Sequence, residues 1–432
     1  MTVVSSSSAK FLSEFGSIAV LQPRVLGLLM SFTAIPIQAA SEPSGMLWHH
    51  APAALLDQRL PVATHASNQF EHNESWSVMA DVSAYAASKV VDLLSAEKSL
   101  PRLMATQPTE HGIVSTRASL SASRSGWEAS LNYRQLYSAS ARDGALQIVR
   151  AYTAPEKLPD GKALVFDAKL KLLDLSGVGF ARSWPVQLSP HSGSVTLTTA
   201  ARLQTIRRFA SFQANGNLLR TRDSYAFDGS GELRDSSRRF EGYGEPGTQG
   251  ESYGIDMGIA WQPTERSSIL FSVVDAWSRA RISDVASQNA TLRSDTRIVN
   301  NQGYLVSQPS VEGRYSAESL LFKIPPVYTL AMVSTWMIPL GGFTNNRLPS
   351  AAQVTTGLRL QRTSDINLRS VWASTSISSN CQAVAEVEFT FDSKGLGVSC
   401  PWGRVMLRSN TGALSNARSL GLNLTFHHRV AS

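Results

Sequence analysis

The chain has 432 residues, and only 17% of them are charged, well below the roughly 25% of ordinary globular proteins. Its formal net charge of +7 comes from scattered basic residues without interleaved aromatics, so the sequence gives no support to nucleic-acid binding. Beyond the N-terminus, no unbroken apolar segment is long enough to predict a membrane-spanning helix.

The N-terminus predicts an export signal. Lys10 and Arg24 supply positive charge ahead of an apolar run over residues 25–37, and Ala39 completes a small-residue cleavage site. We therefore expect residues 1–39 to be a cleaved signal peptide. A buried helix or a single membrane anchor are the alternatives for this stretch.

Residues 40–111 predict an N-terminal periplasmic or plug segment. Its first part is rich in proline, alanine and histidine and shows no sustained period. Ala87, Val90, Val91 and Leu94 then follow at helical spacing, and they predict a short amphipathic helix that ends at a proline.

Residues 112–426 largely alternate with period two, which indicates β-strands. In residues 253–261, YGIDMGIAW, each odd position is bulky and apolar, whereas each even position is glycine, alanine or aspartate. Such a strand spans roughly 27 Å, and a tilt of about 40° brings it close to the height of an apolar membrane band. We therefore predict an all-β fold, an antiparallel transmembrane β-barrel of roughly twelve to sixteen strands.

Aromatic residues stand at the ends of the apolar faces. Tyr253 and Trp261 flank the strand just described, and Trp127 and Tyr137 flank one face of WEASLNYRQLY. Tyrosine and tryptophan are favoured where an apolar phase meets an aqueous one. All four residues are therefore predicted to be interface aromatics.

Charged residues on the opposite faces predict the lining of a lumen. The strand VVDAWSRARI places an aspartate, a tryptophan and two arginines on one face, and ALVFDAKLKL alternates apolar with mostly charged residues. The candidate lumen-lining residues are Asp167, Lys169, Lys171, Asp256, Asp275, Arg279 and Arg281. They could form a structural charge ladder inside the barrel, or a constriction that selects anionic or amphiphilic solutes.

The strand SLGLNLTF alternates leucines and ends at the aromatic Phe426. In this it resembles the C-terminal strand of Gram-negative outer-membrane β-barrels, whose last aromatic residue is recognised by the assembly machinery. The resemblance implies an outer-membrane location, with membrane lipid, lipopolysaccharide and the barrel-assembly machinery as partners. Residues 427–432 follow as a predicted C-terminal extension. The size and the N-terminal segment are also similar to those of fatty-acid-transporter-like barrels.

Two cysteines, Cys381 and Cys400, would reach an oxidising compartment after export, where disulfides persist. The turn motif DSKG, residues 392–395, would place Val387 rather than Cys381 opposite Cys400. A disulfide then requires a shorter strand or a loop that folds back, because the two Cα atoms must lie within about 7 Å.

The sequence predicts no catalytic residue, metal site or cofactor. The GYGEPG run lacks a following helix, a GxSxG motif is absent, and the 8 histidines form no HExxH pattern. We expect a channel or transporter-like protein for small anionic or amphiphilic solutes, or an envelope structural protein. The alternatives are a soluble periplasmic β-rich binding or adhesion protein and an enzyme built on a barrel.

Overall fold

Eighteen strands and one α-helix make up the part of the chain that the computed structural model describes. No helix in this part has the length and hydropathy needed to cross a membrane. The described residues are 76–89, 109–153, 158–187, 193–221, 224–237, 250–264, 266–294, 297–299, 305–307, 310–339, 351–363, 366–377, 381–412 and 417–430.

Most of these residues belong to strands, and the helix, α1, covers Asp143–Thr153. The first nine strands are β1 (Trp76–Ser88), β2 (Thr109–Arg124), β3 (Trp127–Arg142), β4 (Ala163–Gln187), β5 (Ser194–Thr221), β6 (Ser224–Asp235), β7 (Gly250–Thr264), β8 (Ser267–Arg293) and β9 (Arg297–Val299). The other nine are β10 (Leu305–Ser307), β11 (Ser310–Phe322), β12 (Val327–Pro339), β13 (Ala351–Arg362), β14 (Asn367–Ser376), β15 (Gln382–Glu388), β16 (Ser393–Cys400), β17 (Gly403–Ser409) and β18 (Ser419–Val430).

The sheet closes on itself, because β18 pairs with β1 and every neighbouring pair is antiparallel. Two positions in the ring are each filled by two strands lying end to end. Both β6 and β7 pair with β5 and β8, and both β11 and β12 pair with the other edge of β8. The short β9–β10 pair stays outside the ring. The result is a closed antiparallel barrel of 14 strands, which confirms the predicted fold class and strand number.

The two ends of the barrel differ. We call the end where β1 begins and β18 ends the near end, and the opposite end the far end. At the near end, β2 and β3 are joined by Ser125 and Gly126, whose φ angles of 48° and 80° suit the tight turn that matches strand twist. The height of the wall varies with strand length around the barrel. The strands β4, β5 and β8 have 25, 28 and 27 residues, whereas β15 and β17 have 7 each.

The barrel begins earlier than predicted. Trp76–Ser88 forms β1 and pairs with both β18 and β2, so the predicted start at residue 112 is wrong. The predicted helix is also wrong at Ala87, which lies in this strand, while Val90, Val91 and Leu94 fall outside the described residues. The alternation was inconspicuous because the face opposite the buried Asp81 and Tyr85 carries mostly valine and alanine. The predicted signal peptide also lies outside the described residues.

The last strand extends further than predicted. It continues through Val430, because its final residues pair with the beginning of β1: Val430 lies opposite Trp76 and His427 opposite Met79. The polar residues after Phe426 therefore belong largely to the barrel wall, and the boundary of the predicted C-terminal extension is corrected.

The two cysteines form a disulfide, contrary to the expectation from the turn motif. Glu388 pairs with Ser393, so the β15–β16 turn lies over residues 389–392 and not at Ser393 and Lys394. Asp392, with a φ of 54°, occupies the left-handed position in this turn. The corrected register brings Cys381 opposite Cys400, with a Cα–Cα distance of 4.3 Å.

We expect the disulfide to stabilise the low wall formed by β15 and β16. Because it closes a loop with a sequence separation of 19, its removal is expected to cost about 3 kcal/mol. The measurement is guanidinium unfolding of the detergent-solubilised protein with and without a reductant. The Cys381→Ser/Cys400→Ser variant is the control, since it must match the reduced protein. Equal midpoints for oxidised and reduced wild type would contradict this prediction.

Candidate functional site

The strand β7 shows how the wall separates its two faces. Tyr253, Met257 and Trp261 point outward and are 45%, 52% and 40% exposed, whereas Asp256 on the opposite face is 6% exposed. Period two therefore places the bulky apolar residues outside and the glycine and aspartate residues inside, as predicted. A core-forming strand of a soluble sandwich would bury the bulky face instead.

The same outward pattern recurs around the barrel. On β12, Tyr328 and Trp336 are exposed with the same spacing as Tyr253 and Trp261, and Met332 lies between them. This zone of exposed apolar side chains is here called the outer belt. Its other members include Leu131, Phe180, Leu203, Ile255, Ile259, Phe271, Leu358, Val371, Val387, Leu396, Val398, Val405 and Leu407.

Three of the four predicted interface aromatics lie exposed on the outer wall, namely Trp127, Tyr253 and Trp261. The prediction is wrong for Tyr137, which is only 5% exposed because it packs in a cluster with Leu172 and Ala210.

The aromatic residue of the last strand, Phe426, lies on the exposed outer surface and is paired with Ala80 and Gly403. Its proposed role as an assembly signal stays a prediction.

A bulge interrupts β8 opposite Asp256. Ile255 pairs with Trp277 and Met257 with Val273, so three residues of β8 face one residue of β7. Asp275 sits in this bulge with a φ of 54°, and its backbone N–H donates a 2.8 Å hydrogen bond to Asp256 Oδ1. Bulges re-aim side chains, and this one turns the Asp275 carboxylate inward.

Four side chains from four strands meet at this bulge. Arg134 of β3 reaches Asp275 Oδ2 at 2.8 Å, while Arg202 of β5 reaches Asp275 Oδ1 and Asp256 Oδ1 at 2.7 Å each. We call Arg134, Arg202, Asp256 and Asp275 the Asp275 network. Its side chains are nearly buried, so each charge depends on its partners in place of water.

A cavity of about 50 Å³ adjoins the Asp275 network. Arg117 and Glu128 line it together with Arg134, Arg202 and Asp256. Arg117 lies on the same rung of the sheet as Arg134. The inner wall therefore gathers three arginines and three carboxylates in and beside this cavity, and only Asp256 and Asp275 were among the predicted site residues.

The predicted pair Arg279 and Arg281 does not join this network. Beyond the bulge, Ser278, Ala280 and Ile282 are buried inside, so the two arginines lie on the exposed outer face. The prediction assumed uninterrupted alternation from Asp275, and the left-handed conformation of Asp275 breaks that alternation. The lumen assignment of Arg279 and Arg281 is therefore wrong, whereas Asp256 and Asp275 are buried.

The three predicted residues of β4 lie apart from the Asp275 network. Lys169 and Lys171 share a face with Leu173, which packs in the interior, so they face inward toward the far end. Asp167 lies on the same face and pairs with Asn215 of β5. This stretch of inner wall is open, since both lysine side chains are exposed.

A second buried network joins side chains of β13, β15 and β17. Glu386 of β15 accepts hydrogen bonds from Arg359 at 2.7 Å and from Arg408 at 2.6 Å, and Arg359 also contacts Ser370 at 3.3 Å. We call Glu386, Arg359 and Arg408 the Glu386 network. Sequence reasoning missed it, although AVAEVEF places Glu386 and Glu388 on one face of an apolar strand, which was an available signal.

An apolar surface borders the Asp275 network on the inner wall. Arg134 lies opposite Leu175 in the register, and Leu175 lies opposite Ile206. We call the residues packed here the inner apolar cluster: Leu173, Leu175, Ile206, Phe209, Ala280, Ile282, Val285, Leu320, Phe322 and Ile324. Charged and apolar surfaces thus adjoin inside the barrel.

Ser278 bridges a gap that the bulge leaves in the wall. The last β8–β11 rung is Ala280 with Phe322, and the first β8–β12 rung is Val274 with Val327. Between them, Ser278 Oγ donates to the Ile324 carbonyl and accepts from the Ile324 N–H, both at 2.9 Å. One hydroxyl therefore replaces two backbone hydrogen bonds.

The substitution Ser278→Ala should destabilise the barrel by about 1–3 kcal/mol, because Ile324 is buried and its backbone groups would lose their partner. Guanidinium unfolding gives the value, and hydrogen exchange at Ile324 locates the effect. Ser283→Ala, at an exposed serine of the same strand, is the control and should change neither. Unchanged protection at Ile324 in Ser278→Ala would refute the bridging role.

Within the described ranges, no group of three or more histidine, cysteine, aspartate or glutamate side chains could hold a metal ion. The charged side chains of the Asp275 and Glu386 networks are instead paired as carboxylates with arginines. Such an arrangement can attract and orient an ion, but it offers no nucleophile with an adjacent base.

No protein-family model matches the chain, and no curated protein shows a significant match to it. Among solved structures, the Ralstonia pickettii toluene transporter TbuX overlaps with a TM-score of 0.35 at 8% identity, covering 83% of this chain and 90% of that one. A Pseudomonas aeruginosa FadL homologue gives 0.33 at 10% identity, with coverages of 82% and 89%. The translocator domain of the Neisseria meningitidis autotransporter NalP gives 0.25 at 8% identity, with coverages of 83% and 90%. Since all three scores lie below 0.5, the barrel assignment rests on the closed hydrogen-bond ladder of this chain.

Proposed function

We propose that this chain is an outer-membrane β-barrel of a Gram-negative bacterium that binds or passes small amphiphilic anions. The observation that carries the proposal is the inner wall, where the Asp275 network and the inner apolar cluster share a rung at Arg134 and Leu175. An amphiphilic anion has a charged head and an apolar tail, and this wall offers a surface for each.

The membrane location is supported by the outer belt. Exposed apolar side chains encircle the barrel, while aspartate, glutamate, arginine and serine are buried inside. Such an inside-out distribution is typical of transmembrane barrels, whose lipid-facing band is apolar and whose interior is polar. A soluble protein rarely exposes apolar patches beyond a few hundred Å². Membrane lipid, lipopolysaccharide and the barrel-assembly machinery are the partners that this location implies.

The proposed mechanism is electrostatic selection followed by apolar contact. Arg117 lines the cavity beside the Asp275 network, where its guanidinium can donate charge-assisted hydrogen bonds to an anionic head group. A low-dielectric wall strengthens the attraction of an anionic head group. The inner apolar cluster then receives the tail.

The test is the ion selectivity of the purified barrel in a planar bilayer under a salt gradient. The wild type is expected to prefer anions, and Arg117→Gln should lower the anion-to-cation permeability ratio. Arg266→Gln, at the exposed near-end turn, is the matched control and should leave the ratio unchanged. Cation preference, or equal ratios for wild type and Arg117→Gln, would overturn the proposal.

A purely structural role in the envelope is the second candidate, because the side chains of the Glu386 network are no more than 7% exposed. Interior charges that are fully paired hold strands together without requiring an open path. This role predicts a heat-resistant barrel that adds no conductance above that of a protein-free bilayer.

A further inference from the structure

Three cationic side chains lie next to one another on the outer wall, away from the lumen. Arg279 and Arg281 are exposed on β8, and Lys323 is exposed immediately after the last β11 residue. The register pairs Leu321 with Arg281 and Phe322 with Ala280, so Lys323 follows alongside Arg279. We call Arg279, Arg281 and Lys323 the cationic patch.

The cationic patch lies directly above apolar surface of the outer belt. Trp277 precedes Arg279 by two residues on β8, on the same face, and is 51% exposed. Its β7 partner Ile255 is also exposed. Leu321 beside Arg281 is 63% exposed. Tyr253 lies opposite Arg279 on the other side. Aromatic rings followed by cations mark the level at which acyl chains give way to head groups.

One carboxylate, Glu251, lies beside the cationic patch. Glu251 lies opposite Arg281, and its Oε2 accepts a 2.9 Å hydrogen bond from the Tyr253 hydroxyl. Further along the outer face, Arg207 of β5 is exposed and donates a 3.0 Å hydrogen bond to Ser176. The surface therefore keeps an excess of positive charge over Glu251.

We propose that the cationic patch binds the phosphate groups of lipopolysaccharide in the outer leaflet, with its acyl chains against Trp277 and Ile255. This inference rests on the proposed membrane location. The patch lies toward the far end from the outer belt, and barrels of this class keep their short turns in the periplasm, so the far end faces outward. Guanidinium and ammonium groups recognise phosphate by charge-assisted hydrogen bonds.

The test is binding of bisphosphorylated lipid A to the detergent-solubilised barrel, followed by native mass spectrometry. Each cation near an anionic surface is worth about a fivefold change in binding, so Arg279→Gln/Arg281→Gln/Lys323→Gln should bind at least about tenfold more weakly. The matched control carries the same loss of charge at the near end, Arg124→Gln/Arg182→Gln/Arg266→Gln, and should bind like the wild type.

Dephosphorylated lipid A should bind the wild type and the patch variant equally. Equal binding of bisphosphorylated lipid A by these two proteins would overturn the inference, and so would wild-type binding of phosphatidylglycerol as tight as that of lipid A. Heat-modifiable migration of both variants on a gel separates these outcomes from failure of the barrel itself. If migration is heat-modifiable but binding is unchanged, the membrane barrel stands and the lipid site does not.

Discussion

Replacing Glu386 by glutamine is expected to lower the free energy of unfolding by about 3–5 kcal/mol, because it removes the carboxylate that binds two buried arginines. Glu386 binds both Arg359 and Arg408 at 2.7 Å or less, and all three side chains are nearly inaccessible to water. Glutamine keeps the shape and one acceptor oxygen, so the loss reports the charge and not a cavity.

Guanidinium unfolding in detergent, followed by tryptophan fluorescence, gives this value. The control is the triple variant Arg359→Met/Glu386→Leu/Arg408→Met, which removes every charge of the Glu386 network. Apolar replacement of a whole buried ion network is often neutral or stabilising, so the triple variant should unfold near the wild-type midpoint or above it. A Glu386→Gln variant as stable as the wild type would contradict the network.

Replacing Asp275 by alanine is expected to cost about 3–5 kcal/mol, because buried Arg134 loses its ion-pair partner and Arg202 keeps only Asp256. The left-handed backbone should add about 1–2 kcal/mol. Asp275 binds Arg134 and Arg202 with separate oxygens, and its φ is 54°. This substitution therefore combines an electrostatic loss with a conformational one.

Asparagine separates the two losses, because it tolerates the left-handed region as aspartate does. Asp275→Asn should recover the conformational part and leave the electrostatic part, when both variants are compared by guanidinium unfolding. Asp284, which also has a positive φ of 55° but is exposed, provides the control, since Asp284→Ala should show the conformational cost alone. Equal stabilities of Asp275→Ala and Asp275→Asn would rule out the backbone contribution.

The sequence was sufficient where alternation runs without interruption. The bulge opposite Asp256 lies in β8 and leaves the alternation of β7 intact. The odd-numbered residues of β7 between Tyr253 and Met257 therefore point outward and the even-numbered ones inward. The same regularity made the antiparallel barrel predictable, since exposed apolar faces repeat on many strands. The inward position of Asp256 could be predicted from this pattern alone.

Sequence reasoning failed where one residue changes the register. The left-handed Asp275 left Arg279 and Arg281 on the outer wall, and aspartate at that position carries no signal that distinguishes a bulge from a strand. A turn misplaced toward Ser393 likewise concealed the Cys381–Cys400 disulfide. A period-two pattern fixes which residues share a face only between such irregularities.

The Asp275 network could not be predicted because it joins strands that are distant in the sequence. Arg134 and Asp275 are 141 positions apart, and no local spacing relates them. The closed strand order determines which inward side chains meet, and that order follows from all of the hydrogen-bond ladders together. Pairing partners across the lumen therefore emerge only with the three-dimensional structure.

The most direct test of the membrane barrel is the gel migration of the protein extracted by detergent from outer-membrane fractions, with and without boiling. A closed barrel resists the denaturing detergent, so the unheated protein should migrate at a different position from the boiled one. Release of the protein by osmotic shock, together with a single unshifted band, would contradict the account. The exposed apolar belt would then have to be covered by a partner other than lipid.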